Sequence, residues 1–173
     1  MKYLEFFGKR LSQISLGCDH YGKTISEKTA LEQLDIYFQQ GGTLLDTAHI
    51  YGQDKAGGPS TSEMVLGRWL NANNLYGKLT VASKGCHPYK EDMNHSRINE
   101  KDMMLDISQS LDHLKTDCLD IWFFHRDNPL MGADEIIDLA SLLIDKKLVK
   151  HLGVSNWKTD RIEAANIWAK SHG

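Results

Sequence analysis

Cysteine is scarce in this 173-residue chain, and its spacing is wrong for pairing: Cys18, Cys86 and Cys118 are odd in number, far apart and in no C-x-x-C arrangement. That pattern argues against a disulfide framework and predicts free thiols in a reducing, cytoplasmic compartment. Cys86, two residues past Lys84, reads as a small apolar filler rather than a reactive thiol. Long apolar runs are also missing, so no membrane span is expected. The first residues, Met1-Lys2-Tyr3-Leu4-Glu5, carry a carboxylate where an apolar signal core would start, which predicts no secretory or transit signal. Nor is one sign of charge in excess: 20 Lys and Arg against 23 Asp and Glu give 20 − 23 = −3, and the cations are scattered. A nucleic-acid partner is therefore not expected.

Two kinds of motif are absent as well. Ala56-Gly57-Gly58-Pro59 is glycine-rich but fits neither G-x-x-x-x-G-K-[ST] nor G-x-G-x-x-G, so it reads as a flexible connection and not a phosphate cradle. His20, His49, His87 and His125 contain no H-x-H or H-x-x-x-H pair, and a lysine sits among them, which makes a metal-dependent hydrolase the weakest reading and a metal site unexpected.

What is present is a soluble, globular balance of 41% hydrophobic and 25% charged residues. The length suits one domain over residues 1–173 and falls short of the ~250 residues of a whole (β/α)8 barrel. Tyr3 to Ile14, broken at Phe7-Gly8-Lys9, predicts a hairpin. After it, apolar runs alternate five times with helical patterns. The strands are expected at Ile14–Gly17, around Leu44-Leu45, at Thr80–Gly85, at Leu119–His125 and at Val149–Val154. The first helix runs from Ser26 with Ala30, Leu31, Leu34, Tyr37 and Phe38 on one face and Gly41-Gly42 as terminator. Ser60-x-x-Glu63 predicts a capping box for the second, which carries Val65, Leu66, Trp69 and Leu70. Asn99 predicts the cap of the third, with Met104, Ile107, Leu111 and Leu114 as its stripe; between Lys84 and that cap lies a long polar loop, His87 to Asn99. The fourth spans Ala133 to Lys147, and the fifth starts near Thr159 and is expected to pack Ile162, Ala165 and Ala169.

The second strand hands over to Asp46-Thr47-Ala48-His49-Ile50-Tyr51-Gly52, the third closes on Lys84 and the fourth on His125. The carboxyl ends of parallel strands are where α/β folds bind ligands. Singly, each residue has a duller explanation: a structural Asp46–Lys84 pair, a satisfied strand-end histidine, a tyrosine half-buried by packing. Together, in this order, Asp46, Tyr51, Lys84 and His125 match the catalytic tetrad of the aldo-keto reductase family, which the chain resembles from about Leu11 onward. Ser62-Glu63-Met64-Val65-Leu66-Gly67 and Gly153-Val154-Ser155-Asn156 add to the resemblance.

The resemblance implies a TIM-barrel (β/α)8 type of α/β fold, incomplete here, with about five βα units behind the hairpin. It implies an oxidoreductase that reduces aldehydes or ketones with NADPH, or with NADH, the substrate being a small-molecule carbonyl. Hydride transfer to carbon needs a proton at the oxygen. Tyr51 is the expected acid, Lys84 the cation that stabilises its phenolate, Asp46 the partner of Lys84, and His125 the donor that orients the carbonyl. Cofactor contacts fall on Ser155, Asn156 and Asp46. In the family, strands six to eight and the grip on the adenosine phosphates follow the fifth helix. Their absence from this sequence predicts weak cofactor binding and self-association through two open barrel edges. The alternative reading is a catalytically silent truncated barrel, or a regulatory subunit acting by association.

Overall fold

The computed structural model describes residues 1–54 and 58–172. Ala56 and Gly57 of the glycine-rich stretch lie outside the described residues. Strands β1 (Tyr3–Phe6) and β2 (Lys9–Ser12) form the expected antiparallel hairpin. Its turn puts Phe7 and Gly8 at φ 50° and 69°, the doubly left-handed geometry that matches strand twist.

Five further strands, β3 (Leu16–Gly17), β4 (Leu44–Asp46), β5 (Thr80–Gly85), β6 (Leu119–Phe124) and β7 (Val149–Val154), pair in chain order as one parallel sheet. The helices between and after them are α1 (Glu27–Gln39), α2 (Thr61–Ala72), α3 (Glu100–Leu114), α4 (Ala133–Asp145) and α5 (Thr159–His172). Parallel pairing requires such crossovers, and it buries the strands on both faces. β5, in the middle, is buried at all six residues. The core between sheet and helices is filled by Leu34, Leu45, Leu66, Ile107, Trp122, Phe124 and Ile136. Helices α2 and α3 come so close that a Cβ on Gly67 would stand 2.1 Å from the His113 carbonyl oxygen, so only glycine fits there.

The hairpin lies under the amino ends of the strands. Lys9 Nζ donates to Asp120 of β6 at 2.7 Å, the Ser12 and Thr43 hydroxyls exchange hydrogen bonds with each other's backbone N–H, and the Phe7 ring stacks on His151 of β7 at 3.7 Å. One end of the sheet is thus closed, and the tetrad occupies the other.

Three helix readings are corrected. Ser60 caps α2 by accepting from the Glu63 N–H, but Glu63 does not reach back. Its carboxylate turns inward, accepts from Ser83 Oγ at 2.6 Å and faces His113 Nδ1 at 3.2 Å, because a buried acceptor gains more from buried donors than from a cap. On α3 the buried face is Met103, Asp106, Ile107, Ser110 and Leu114, with Met104 and Leu111 only half-buried. A polar residue, Asp106, points inward there because it has a buried partner, Arg97, which apolar periodicity does not register. On α5 only Ala165 is buried; Ile162 and Ala169 are exposed, since α5 packs on α4 and, among the described residues, no further strand lies beyond β7 to add cover.

Candidate active site

The stretch from Asp46 to Gly52 is held by backbone bonds to neighbouring strands before any side chain acts. Thr47 N–H donates to Ala82 O at 2.8 Å and His49 N–H to Lys84 O at 2.9 Å, which splices the turn onto β5. Ser60 Oγ, already the cap of α2, shares its one hydrogen between the carbonyls of Ala48 at 3.1 Å and Tyr51 at 2.8 Å. Gly52 follows at φ 76°, and a Cβ on it would stand 1.9 Å from Thr61 Oγ1. The Tyr51 side chain therefore leaves a rigid turn.

Lys84 on β5 is only 8% exposed. Burying an ammonium is costly unless its protons are used. All three are: Nζ donates to Asp46 Oδ1, to Thr47 O at 2.8 Å and to the Tyr51 hydroxyl at 3.4 Å, and it lies 4.8 Å from the centre of the Tyr51 ring. The Asp46 side chain at the end of β4 is 38% exposed, so the pair is buried on the lysine side and wet on the carboxylate side.

His125 follows β6, its N–H donating to Gly85 O at 2.9 Å. Its ring stands edge-on to Tyr51, with centroids 5.7 Å apart. Burial, and then the charge of neighbouring His87 when it is protonated and of the cations Lys84 and Arg126, hold the imidazole down to about 3, so it is neutral at physiological pH. Nδ1 is shut away without a partner. A buried lone pair is better tolerated there than a buried N–H, which assigns the ring hydrogen to Nε2. The structure thus brings Asp46, Tyr51, Lys84 and His125 together at one end of the sheet.

Ser155 and Asn156 follow β7. Ser155 N–H donates to Phe124 O at 2.9 Å, and Asn156 Nδ2 donates to His125 O at 3.0 Å and to Ser155 Oγ at 2.9 Å. Asn156 sits at φ 63°, a left-handed conformation that asparagine tolerates. Among the described residues, Asn156 Oδ1 and the Ser155 hydroxyl hydrogen have no partner within the chain. One acceptor and one donor held side by side fit the two ends of a carboxamide.

The four histidines do not form one cluster: His87 meets His125 edge-on at 4.8 Å, His49 bonds Gln109, and His20 lies on the surface beside Asp19. Cys86 is buried, and that burial pushes its thiol well above the ordinary value, in keeping with a filler. What the sequence reading missed is the role of His87 as a wall of the site and the Arg97–Asp106 pair behind it. The available signal was the position of His87, third after Lys84 in the same loop. A cleft of about 520 Å³ lined by His49, Gln53, His87, Tyr89 and Arg97 runs beside the site but includes none of the tetrad, whose polar ends lie instead at the open end of the sheet.

Comparison with known proteins converges on one family. The family model "Aldo/keto reductase family" matches residues 13–173. Norsolorinic acid reductase B of Aspergillus parasiticus is 28% identical over 177 residues, 95% of this chain and 45% of its own length. Aldo-keto reductase YhdN of Bacillus subtilis is 27% identical over 169 residues, 95% of this chain and 49% of its own. Among solved structures, the thermostable aldo-keto reductase Tm1743 superposes with a TM-score of 0.77 at 22% identity, covering 97% of this chain and 58% of that one. That likeness shows the fold, five consecutive βα units of a TIM-type barrel. The chain spans about half the length of the curated relatives it matches. With the family model covering nearly the whole sequence, the chain belongs to the aldo/keto reductase family.

Proposed function

We propose that this chain carries the carbonyl-reducing half-site of an NADPH-dependent oxidoreductase acting on small aldehydes or ketones, with NADH as the second-choice donor. The observation that supports it most is the single ammonium of Lys84 shared between Asp46 and the Tyr51 hydroxyl, with a neutral imidazole beside them.

The cofactor, when bound, supplies the hydride. Ser155 and Asn156 would hold its carboxamide, and Asp46 at the end of β4 would add a further contact. A carbonyl oxygen approaching Tyr51 meets two donors, the phenol and His125 Nε2–H, which aim it and stabilise negative charge as it develops. The Tyr51 hydroxyl then releases its proton to that oxygen, and the adjacent Lys84 ammonium stabilises the phenolate left behind. Asp46 and Thr47 O keep the ammonium oriented between turnovers. His125, being neutral, donates without competing for the proton.

Free thiols at Cys18, Cys86 and Cys118 support a reducing, cytoplasmic setting. The alternative, a silent subunit acting by association, draws on the one-sided edge of β7 and the exposed face of α5. The discriminating experiment follows NADPH oxidation by the purified chain with an aromatic aldehyde. Turnover that disappears in Tyr51→Phe supports the reductase; NADPH oxidation equal in both proteins overturns Tyr51 as the acid; no turnover in the wild type favours the associating subunit.

A further inference from the structure

Asp106 is a buried acid with three donors on its carboxylate, and the mechanism above does not use it. It sits on α3, fully buried. Its Oδ2 accepts from the Cys86 N–H at 2.7 Å and from Arg97 Nη1 at 3.0 Å, and its Oδ1 accepts from Arg97 Nη2 at 2.6 Å. Arg97, 4% exposed, is equally enclosed: Nη1 also donates to His87 O at 3.2 Å, and the Tyr89 ring covers the guanidinium at 4.6 Å. Burial would lower the Arg97 value, but the hydrogen bonds and charge of Asp106 raise it, so the guanidinium stays charged.

The bonds run to particular atoms for a reason. Cys86 adopts φ 56°, a conformation unfavourable for a residue with a side chain, and it is the hinge that turns the chain off β5 just after Lys84. Asp106 grips the N–H of that hinge, and through Arg97 it grips the carbonyl of the next residue, His87. With its backbone held on both sides, His87 presents its ring edge-on to His125, while its Nδ1 is tied to Pro88 O at 2.7 Å. On the other side, His49 Nδ1 lies 3.6 Å from Asp106 Oδ1, and the His49 N–H is the one spliced onto Lys84 O. One carboxylate therefore meets both loops that deliver the tetrad's surroundings, the β4–α2 turn and the β5–α3 loop.

The geometry points to Asp106 as a positioning residue of the carbonyl-reducing site: its carboxylate, directly and through Arg97, fixes the Cys86–His87 turn so that His87 walls and orients His125. This rests on the function proposed above, but its principal test does not require activity. The His87 ring packs edge-on against His125 at 4.8 Å, and an arginine fork bound bidentately to a buried carboxylate is rigid enough to transmit position.

The test uses the 173-residue chain with labelled histidines. Ring-proton cross-relaxation between His87 and His125, assigned by single His→Gln substitutions, is measured in the wild type, in Asp106→Asn and in Arg97→Lys. The asparagine turns an amide N–H toward the guanidinium; the lysine keeps the charge but loses the fork that reaches His87 O. Loss of the cross-relaxation signal in both variants, with amide signals of the β1–β2 hairpin unchanged, is the expected result. A signal that persists in either folded variant, or that is missing in the wild type, overturns the inference, as does a lowered Tm with the contact intact below it. Where Asp106→Asn does not fold, Arg97→Lys decides alone. If the wild-type chain reduces aldehydes, the same variants lower kcat about tenfold to a hundredfold with KM for NADPH unchanged. A wild type that shows the histidine contact but no reduction removes the proposed function and leaves the Asp106 assignment to the spectra.

Discussion

Strands β5 and β7 are each six residues long, parallel and followed by a helix, yet β5 is buried at every position while β7 fully buries only Val149. The helices repeat the contrast: α4 buries Ala133, Ile136, Ala140 and Leu143, and α5 buries Ala165 alone. The sequence patterns of the two units do not differ in kind. Their neighbours do, since β5 lies between β4 and β6, whereas β7 pairs, among the described residues, with β6 alone. A βα unit becomes rigid when it is flanked on both sides, and local stability follows that flanking. The consequence for function is a division: Lys84 stands on a doubly flanked strand and Tyr51 and His125 follow two others, whereas Ser155 and Asn156 follow the marginal one.

The sharpest way to break this comparison is chemical. In any form of the protein that reduces carbonyls, Tyr51→Phe is expected to lower turnover by roughly 10²–10⁴-fold with cofactor binding nearly unchanged, because the proton is needed only as the alkoxide develops. Steady-state kinetics beside a binding titration checks it. Lys84→Met is expected to match that loss in turnover. Its effect on stability is modest, since the Asp46 side chain is 38% exposed and water takes over the carboxylate, leaving mainly the Thr47 carbonyl without its donor.

Packing gives the next largest effect. Ile136→Ala on α4, which removes a fully buried side chain, is expected to destabilise the chain by about 2–5 kcal/mol, while Ile162→Ala on α5 stays within about 0.5 kcal/mol. Paired denaturant melts measure both. Equal losses would mean that α5 is as well covered as α4, and the contrast between the two units would fail.

A pH effect comes third. His125 has its ordinary value of 6.5 in the unfolded chain and is held down to about 3 in the folded one, with His87 lowered in the same direction by burial. Stability from these rings is complete above about pH 6.5 and is lost as pH falls from there toward the folded values, because the unfolded chain takes up the protons first. Between pH 6.5 and 5, before most carboxylates titrate, His125 contributes a slope of up to about 1.4 kcal/mol per pH unit, and His125→Gln is expected to flatten the profile there. An unchanged slope would show that the ring is more solvated than its burial indicates.

The smallest effects concern the margin. The 173-residue chain is expected to bind NADPH weakly, because the contacts proposed for Ser155 and Asn156 would address only the nicotinamide end, and to self-associate along the open edges of β3 and β7. Calorimetric titration and light scattering read the two. Tight binding by a monodisperse monomer would show that β7 is closed in solution.

Much of this molecule could be read from its residues in order. Hairpin, five strands and five helices follow from periodicity, glycine placement and caps at Ser26, Ser60 and Asn99, because these are local interactions between residues a few positions apart. That Asp46, Tyr51, Lys84 and His125 come together was legible too, since Asp46, Lys84 and His125 each end an apolar run and Tyr51 follows at a fixed turn. What only the tertiary structure decided is which polar groups face inward. Glu63 reads as a capping residue and proves to be the buried acceptor of Ser83; Asp106 interrupts the apolar stripe of α3 and proves to hold the turn behind the site. Ile162 and Ala169 read as a packed face and lie in solvent. In each case the side chain's fate depends on a partner or a missing neighbour far along the chain, and burial of a charge or a methyl group is settled by what stands opposite it in space, which no local pattern of residues encodes.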